Sequence, residues 1–313
     1  MKYDLVIRDG TVVDGSGLPR FRADVGMVHG KIAAIGRIRD AAKEVIDAEG
    51  MVVAPGFIDG HTHMDAQIAW DPLGTCSCWH GVTSVVMGNC GFTLAPCREE
   101  DKHLVLRNLE RAEDISPAAM EAGINWNWET FPEFLDTLDG LPKGINYAGY
   151  VGHSALRTYA MGERAFEAQA SEDELRVMAR EVRNAVRAGA VGFSTSRSPS
   201  HLTPAGQPVA SRVADWQEVR FLVGEMAKMN AGVFEIAQER PGPDRIDEWF
   251  TKLKDLAVES GRPVTWGVFA RRQTPELWRK YFDLLDDTAA AGGRMFAQVH
   301  SRALTVLLSF EDR

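Results

Sequence analysis

The stretch richest in chemistry runs from Pro55 to Asp65 and reads Pro-Gly-Phe-Ile-Asp-Gly-His-Thr-His-Met-Asp. Successive side chains of an extended chain point to opposite faces, so His61 and His63, one residue apart, share a face. Two imidazoles on one face, at the carboxyl end of a barrel strand, can hold a divalent metal. Alone, His-x-His fits a pair of core histidines equally well. The Pro-Gly-x-Ile-Asp lead and the β-rich segment before it favour the metal. A second polar turn closes the run Gly81 to Phe92, Gly-Val-Thr-Ser-Val-Val-Met-Gly-Asn-Cys-Gly-Phe. Cys90 lies there among glycines that let backbone approach closely. As a thiolate it would stand about 2.3 Å from a zinc; as a thiol it would pack as a small buried apolar group. Cys76 and Cys78 match neither a zinc knuckle nor a redox pair, and with Cys97 they read as packing residues.

Both clusters need strands to carry them, and the pattern supplies strands of two kinds. In the first 54 residues short β-type runs (Leu5–Ile7, Thr11–Val13, Ala23–Met27, Lys31–Ile35, Met51–Val53) alternate with turn pairs such as Asp9-Gly10 and His29-Gly30. This reads as a small antiparallel β unit. From Pro55 onward seven apolar runs follow, at 56–59, 83–87, 146–151, 190–194, 232–236, 263–268 and 295–299, separated by longer amphipathic stretches. Helix signals fall between them. Thr130-x-x-Glu133 and Ser171-x-x-Glu174 are capping boxes. Asp215 opens a helical run to Asn230, Thr274-Pro275 is an N-cap and first-turn pair, and Gly189 and Gly261 occupy C-cap positions. Strand–helix alternation predicts a parallel sheet with crossovers. The fold class is therefore α/β, a TIM-like (β/α)8 barrel lacking its eighth unit, because only His300 to Arg313 follow the seventh run. The domains are 1–54 and 55–313, the second C-terminally incomplete.

The 313 residues are 45% hydrophobic and 25% charged, with a net charge of -9. That is globular composition, and it excludes a disordered or fibrous chain. An acidic balance gives no footprint for nucleic acid or an anionic membrane. No apolar run approaches the ~18 residues of a spanning helix, and the amino terminus lacks a signal-peptide core. A cytoplasmic protein with reduced thiols is expected, acting on a small molecule; the sequence sets no oligomeric state.

The segments Tyr3 to Gly17, Ala54 to His63, Gly81 to Gly91, Gly152 to Arg157 and Gly192 to Thr195 together resemble the amidohydrolase superfamily, and within it the N-acyl-D-amino-acid deacylase (D-aminoacylase) group. The resemblance implies a β-sandwich flanking a metal-bearing barrel, with residues 1–54 as the sandwich segment. It implies His61, His63 and Cys90 as ligands of zinc or another divalent metal, one or two ions. The expected reaction is hydrolysis of a non-peptide C–N bond, most simply deacylation of an N-acyl-D-amino acid. The different-class alternative is a degenerate, non-catalytic barrel that binds a small ligand or partner. A dihydropyrimidinase-like cyclic amidase fits less well, since Gly192 to Ser196 carries no lysine for a carboxylated bridge.

The chain also departs from that group. The resemblance places metal-binding histidines at the ends of strands five and six, yet Gly232 to Glu239 and Val264 to Ala270 contain none. The strand-eight aspartate that handles the proton would lie beyond Arg313, so this chain alone is expected to turn over N-acyl-D-amino acids slowly or not at all. Glu235 or Glu239 could substitute as oxygen ligands, although Glu235 also fits an outward-facing position. Asp65 is placed to orient an imidazole. His153 reads as a substrate-orienting or supporting donor, or as a hydrogen-bonded loop histidine. Arg157 could pair with a substrate carboxylate or lie on a helix surface. His300 is a further candidate ligand or substrate contact. Trp266 and Trp70 line a pocket or pack; His29, His80, His103 and His201 read as turn or surface residues.

Overall fold

The computed structural model describes residues 2–113, 115–239, 241, 243–268 and 274–299. They divide into two compact units, Met1–Phe57 and Ile58–Arg313. The first is one five-stranded sheet of β1 (Tyr3–Val12), β2 (Phe21–Val28), β3 (Lys31–Gly36), β4 (Ala42–Asp47) and β5 (Val52–Val53). Its order is β3-β2-β1-β4, with β5 also on β1. β1–β2 and β2–β3 are antiparallel, but β4 and β5 run parallel to β1, so the sheet is mixed and the all-antiparallel expectation is corrected. Asp9-Gly10 is not a turn between two strands. It is a bulge inside β1, where the pairing shifts between Ile7 and Gly10, Asp9 takes φ 57° and its N–H donates to Asp24 Oδ1 at 2.9 Å. β4 escaped the pattern because Lys43 and Glu44 interrupt its apolar residues; it closes the end of the sheet and stays largely exposed. Tyr3, Val6 and Ile38 form this unit's small core.

The second sheet contains β6 (Phe57–Asp59), β7 (Val82–Met87), β8 (Asn146–Gly152), β9 (Gly192–Ser196), β10 (Val233–Ala237), β11 (Val264–Gly267) and β12 (Met295–Gln298), hydrogen-bonded in that chain order. Every pair from β7 to β12 is parallel. All seven expected strands are present. β6 ends at Asp59, where the apolar run ends, so both histidines lie on the loop that follows it and not on the strand itself. β9 is buried along its whole length, as parallel strands covered on both faces are. The sheet curls: β6 and β12 end the ladder, yet His61 Nδ1 and Gln298 Oε1 meet at 2.7 Å.

Helices cover this sheet, and their ends follow the chemistry of their caps. Thr130 and Ser171 form complete capping boxes on the helices Phe131–Asp139 and Glu172–Ala188. Asp215 caps Trp216–Met229, and Gly189 and Gly261 adopt the left-handed C-cap. The last described helix, Leu277–Ala290, starts later than the Thr274-Pro275 pair suggested: the Thr274 carbonyl accepts from Leu277 N–H in a preceding turn, and Glu276 stands at the cap. Phe193 and Phe234 stack at 5.8 Å in the core, and Trp266, fully buried, packs on Tyr281. Trp266 is thus a packing residue, whereas Trp70 is 45% exposed. Among the described residues no helix is long and apolar enough to cross a membrane.

Candidate metal centre

The loop after β6 presents its histidines because the residue between them is tied down. Thr62 donates from both N–H and Oγ1 to the Val86 carbonyl of β7, at 2.9 and 2.8 Å. With Thr62 anchored on that side, the flanking imidazoles come together, ring centroids 5.3 Å apart. His61 is oriented by Gln298: if Nδ1–H donates to Oε1, Nε2 is left as a ligand atom.

Cys90 sits on a turn after β7 that is held at almost every residue. Gly88 N–H donates to Asp65 Oδ2 at 3.0 Å, Cys90 N–H to Glu235 Oε2 at 2.6 Å, and Gly91 N–H to Ser194 Oγ at 3.0 Å. Ser194 Oγ in turn donates to the Gly88 carbonyl. The Asn89 side chain donates to the Thr62 and Val86 carbonyls, joining this turn to the histidine loop. Three consecutive residues, Gly88, Asn89 and Cys90, cannot all relax: Gly88 has φ 74°, and a Cβ there would lie 2.4 Å from the Tyr150 carbonyl oxygen. Cys90 itself takes φ 59°, a left-handed conformation uncommon outside glycine. The bond to Glu235 helps to hold it there.

The outcome is convergence. Among the described residues, His61, His63 and Cys90 place one ligand atom each within 4.8 Å of one another. Cys90 Sγ is 3.4 Å from His61 Nε2. Sequence reasoning underrated Glu235. Its neighbours Phe234 and Ile236 suggested an outward carboxylate, but both faces of β10 are buried, and Glu235 points at the turn and the histidine loop. Oε1 lies 3.9 Å from His61 Nδ1 and has no hydrogen-bond partner among the described residues. Burial pushes this carboxyl up to about 8, against the smaller opposing effects of the Cys90 N–H and His63. The signal in the sequence was a lone acid within an otherwise apolar strand run.

Other candidates lie elsewhere. His153 and Arg157 are fully buried and are corrected from substrate contacts to members of a buried ion-pair network. His153 bonds Glu218 Oε1 and Thr195 Oγ1, each at 2.8 Å, and Arg157 Nη1 donates to both Glu218 oxygens at 2.6 and 2.7 Å. Burial lowers the pKa of His153 and keeps it neutral. Burial raises the Glu218 carboxyl, but its bonds to His153 and Arg157 outweigh that and hold it at about 2. Glu218, on the helix Trp216–Met229, carried no motif in the sequence. His201 is not a surface residue: its ring packs 5.1 Å from Phe92, and Nδ1 meets Ser196 Oγ at 2.7 Å. Glu239 faces Arg245 at 3.8 Å. His300 lies outside the described residues.

Two imidazoles, a thiol and a buried carboxylate at the carboxyl end of a parallel sheet agree with what the chain is similar to. It is 38% identical over 195 residues to the D-aminoacylase of Alcaligenes xylosoxydans xylosoxydans. It is 40% identical over 195 residues to the N-acyl-D-glutamate deacylase of that organism. Each match covers 62% of this chain and 37% of the relative, so the matched part spans little more than a third of these curated relatives. The solved N-acyl-D-glutamate deacylase of Bordetella bronchiseptica, complexed with zinc and a phosphonate mimic of the tetrahedral intermediate, superposes with a TM-score of 0.77 at 26% identity. That superposition covers 96% of this chain and 59% of that one. Residues 44–309 match the family model, and the chain belongs to the amidohydrolase family.

Proposed function

We propose that this chain carries the metal centre of a hydrolase that cleaves the amide of an N-acyl-D-amino acid, with His61, His63 and Cys90 as ligands of a divalent ion. The observation that carries the reading is the convergence of the three ligand atoms within 4.8 Å. Two imidazoles and a thiolate suit zinc, and three protein ligands leave a fourth position open. The unpartnered Glu235 oxygen beside His61 is a further mark of a place built for a cation. When bound, such an ion supplies a Lewis acid and lowers the pKa of a water to about 7.

The residues of this chain do the rest. Gln298 fixes the His61 ring, and Glu235 holds the Cys90 backbone so that its sulfur faces the imidazoles. No histidine stands on β10 or β11, so the ligand set differs from the one the resemblance implied, with Glu235 on β10 as the acidic group beside His61. The relatives' names support N-acyl-D-amino acids as the substrate class.

Metal content tests the reading. The purified chain, incubated with zinc and desalted, should retain at least one equivalent, and Cys90→Ser should retain less than half of that. Full retention by Cys90→Ser would remove the cysteine from the site. No retention by the unaltered chain would end the metal reading altogether. Zinc-dependent release of free amine from N-acetyl-D-amino acids is the activity to assay, and in this chain alone it should be slow or absent.

A further inference from the structure

The loops leaving β9 and β10 form an open pocket of about 210 Å³ lined by Arg197, Pro199, Arg212 and Glu239. Arg197 directly follows β9, its N–H donating to Ala237 O at 2.8 Å, and Glu239 lies two residues past β10. The pocket therefore sits on the carboxyl ends of the strands, as the cysteine turn does. Side chains link the two places: Phe92 is 6.0 Å from His63 and 5.1 Å from His201, whose carbonyl accepts from Arg212 Nη1 at 3.0 Å.

Each guanidinium is pinned through one nitrogen. Arg197 Nη1 donates to the carbonyls of Arg212 and Ala214, and Arg212 Nη1 to those of Pro199 and His201. These bonds fix both groups in place, and the Nε and Nη2 donors of both have no hydrogen-bond partner among the described residues. The acid among the described lining residues, Glu239, already faces Arg245. Two fixed cations thus share one engaged carboxylate. Burial works against the charge on Arg197, and a bound anion would relieve that. A preorganised guanidinium fork matches a planar carboxylate in geometry as well as charge.

We propose that this pocket is a carboxylate subsite in which Arg197 and Arg212 hold the carboxylate of an N-acyl amino acid. The proposal rests on the substrate class given in the preceding section, and it names the residues that select it. Neutral amides of the same shape would lose the charge-assisted bonds to the two guanidinium groups.

Calorimetric titration decides it, on chain stripped of metal and on chain loaded with zinc. The probes are N-acetyl-D-alanine, N-acetyl-D-alaninamide and the 1-amide of N-acetyl-D-glutamic acid, which keeps only its side-chain carboxylate. N-acetyl-D-alanine should bind at least tenfold more tightly than its amide. Arg197→Gln and Arg212→Gln should each erase that preference while zinc content stays unchanged, and the surface change Arg176→Gln should leave it intact. The glutamic 1-amide, which lacks the α-carboxylate, should bind as weakly as N-acetyl-D-alaninamide; binding as tight as that of N-acetyl-D-alanine would mean that the two arginines take a carboxylate at either position. Equal binding of acid and amide by the unaltered chain, no binding of either, or a preference that survives both substitutions overturns the proposal. The unaltered-chain comparison needs no variant to fold. A carboxylate preference in a chain that fails to retain zinc would keep the subsite and sink only the metal reading.

Discussion

The molecule contains two polar clusters built from similar side chains. In one, His153, Arg157 and Glu218 are sealed in the interior, and the carboxylate is shared between a guanidinium and an imidazole. In the other, His61, His63, Cys90 and Glu235 converge at the strand ends. There the histidines are partly exposed, and one Glu235 oxygen has no hydrogen-bond partner among the described residues. Residue type does not separate the two; the pairing of the carboxyl group does, since both Glu218 oxygens are engaged whereas Glu235 Oε1 has no hydrogen-bond partner among the described residues. A carboxylate paired at both oxygens stabilises the fold but has nothing left to offer a ligand. An incompletely paired one is costly to bury and needs a further group to complete it. The two clusters should therefore respond to substitution in opposite ways.

The largest effect is expected at the buried network. Arg157→Met leaves the Glu218 carboxylate buried with only His153 beside it, and removing one partner of a buried pair costs about 3–5 kcal/mol. Urea unfolding should show that loss, while zinc bound per folded chain stays unchanged. A loss below about 1 kcal/mol would falsify the view that this network holds the helices to the sheet.

Acid should strike the same cluster next. Glu218 is held at about 2 in the fold against 4.5 when free, so the unfolded chain takes up a proton first as pH falls. Its contribution is complete above pH ~4.5 and disappears toward pH ~2, amounting to at most about 3 kcal/mol. His153, neutral in the fold with its pKa lowered from 6.5, works in the same direction below that value. Unfolding midpoints that do not fall between pH 5 and pH 3 would contradict both assignments. In Glu218→Gln, the part of that fall due to the carboxylate should vanish.

The open cluster gives the reciprocal result. Glu235→Gln keeps an acceptor for the Cys90 N–H but removes the carboxylate next to the proposed ion. Groups that support metal ligands are typically worth 10–100-fold in affinity, so zinc should bind that much more weakly while the urea midpoint holds or rises. A variant that unfolds easily yet binds zinc as before would mean that Glu235 belongs with the structural cluster.

Much of this was legible in the residues. The seven parallel strands follow from apolar runs at regular spacing, and the capping boxes at Thr130 and Ser171 follow from a local pattern that needs no tertiary information. The His-x-His pair and the Asn-Cys-Gly turn were visible for the same reason: their signals are short-range. What could not be read depends on long-range pairing. β4 lies parallel to β1 although nearly 40 residues separate them, and its charged residues gave no strand pattern. Glu218 reaches His153 across 65 residues, and Glu235 reaches Cys90 across 145. An acid in an apolar run faces inward or outward according to what covers each side, and only the fold decides that.

The smallest prediction guards the comparison itself. Loss of stability could loosen a metal site indirectly, and the reciprocal pattern would then lose its meaning. Ser171 caps the helix Glu172–Ala188, accepting from Glu174 N–H while the Glu174 carboxylate returns to Ser171 N–H at 2.7 Å. Neither residue touches either cluster. Ser171→Ala removes one cap bond, at a cost of about 1 kcal/mol. The urea midpoint should fall by that amount and zinc affinity should not move. If affinity falls with stability, the site responds to general softening of the fold, and the Glu235→Gln result could no longer be assigned to the carboxylate. If affinity holds, the metal centre and the stability of the helical layer are separate properties of the chain.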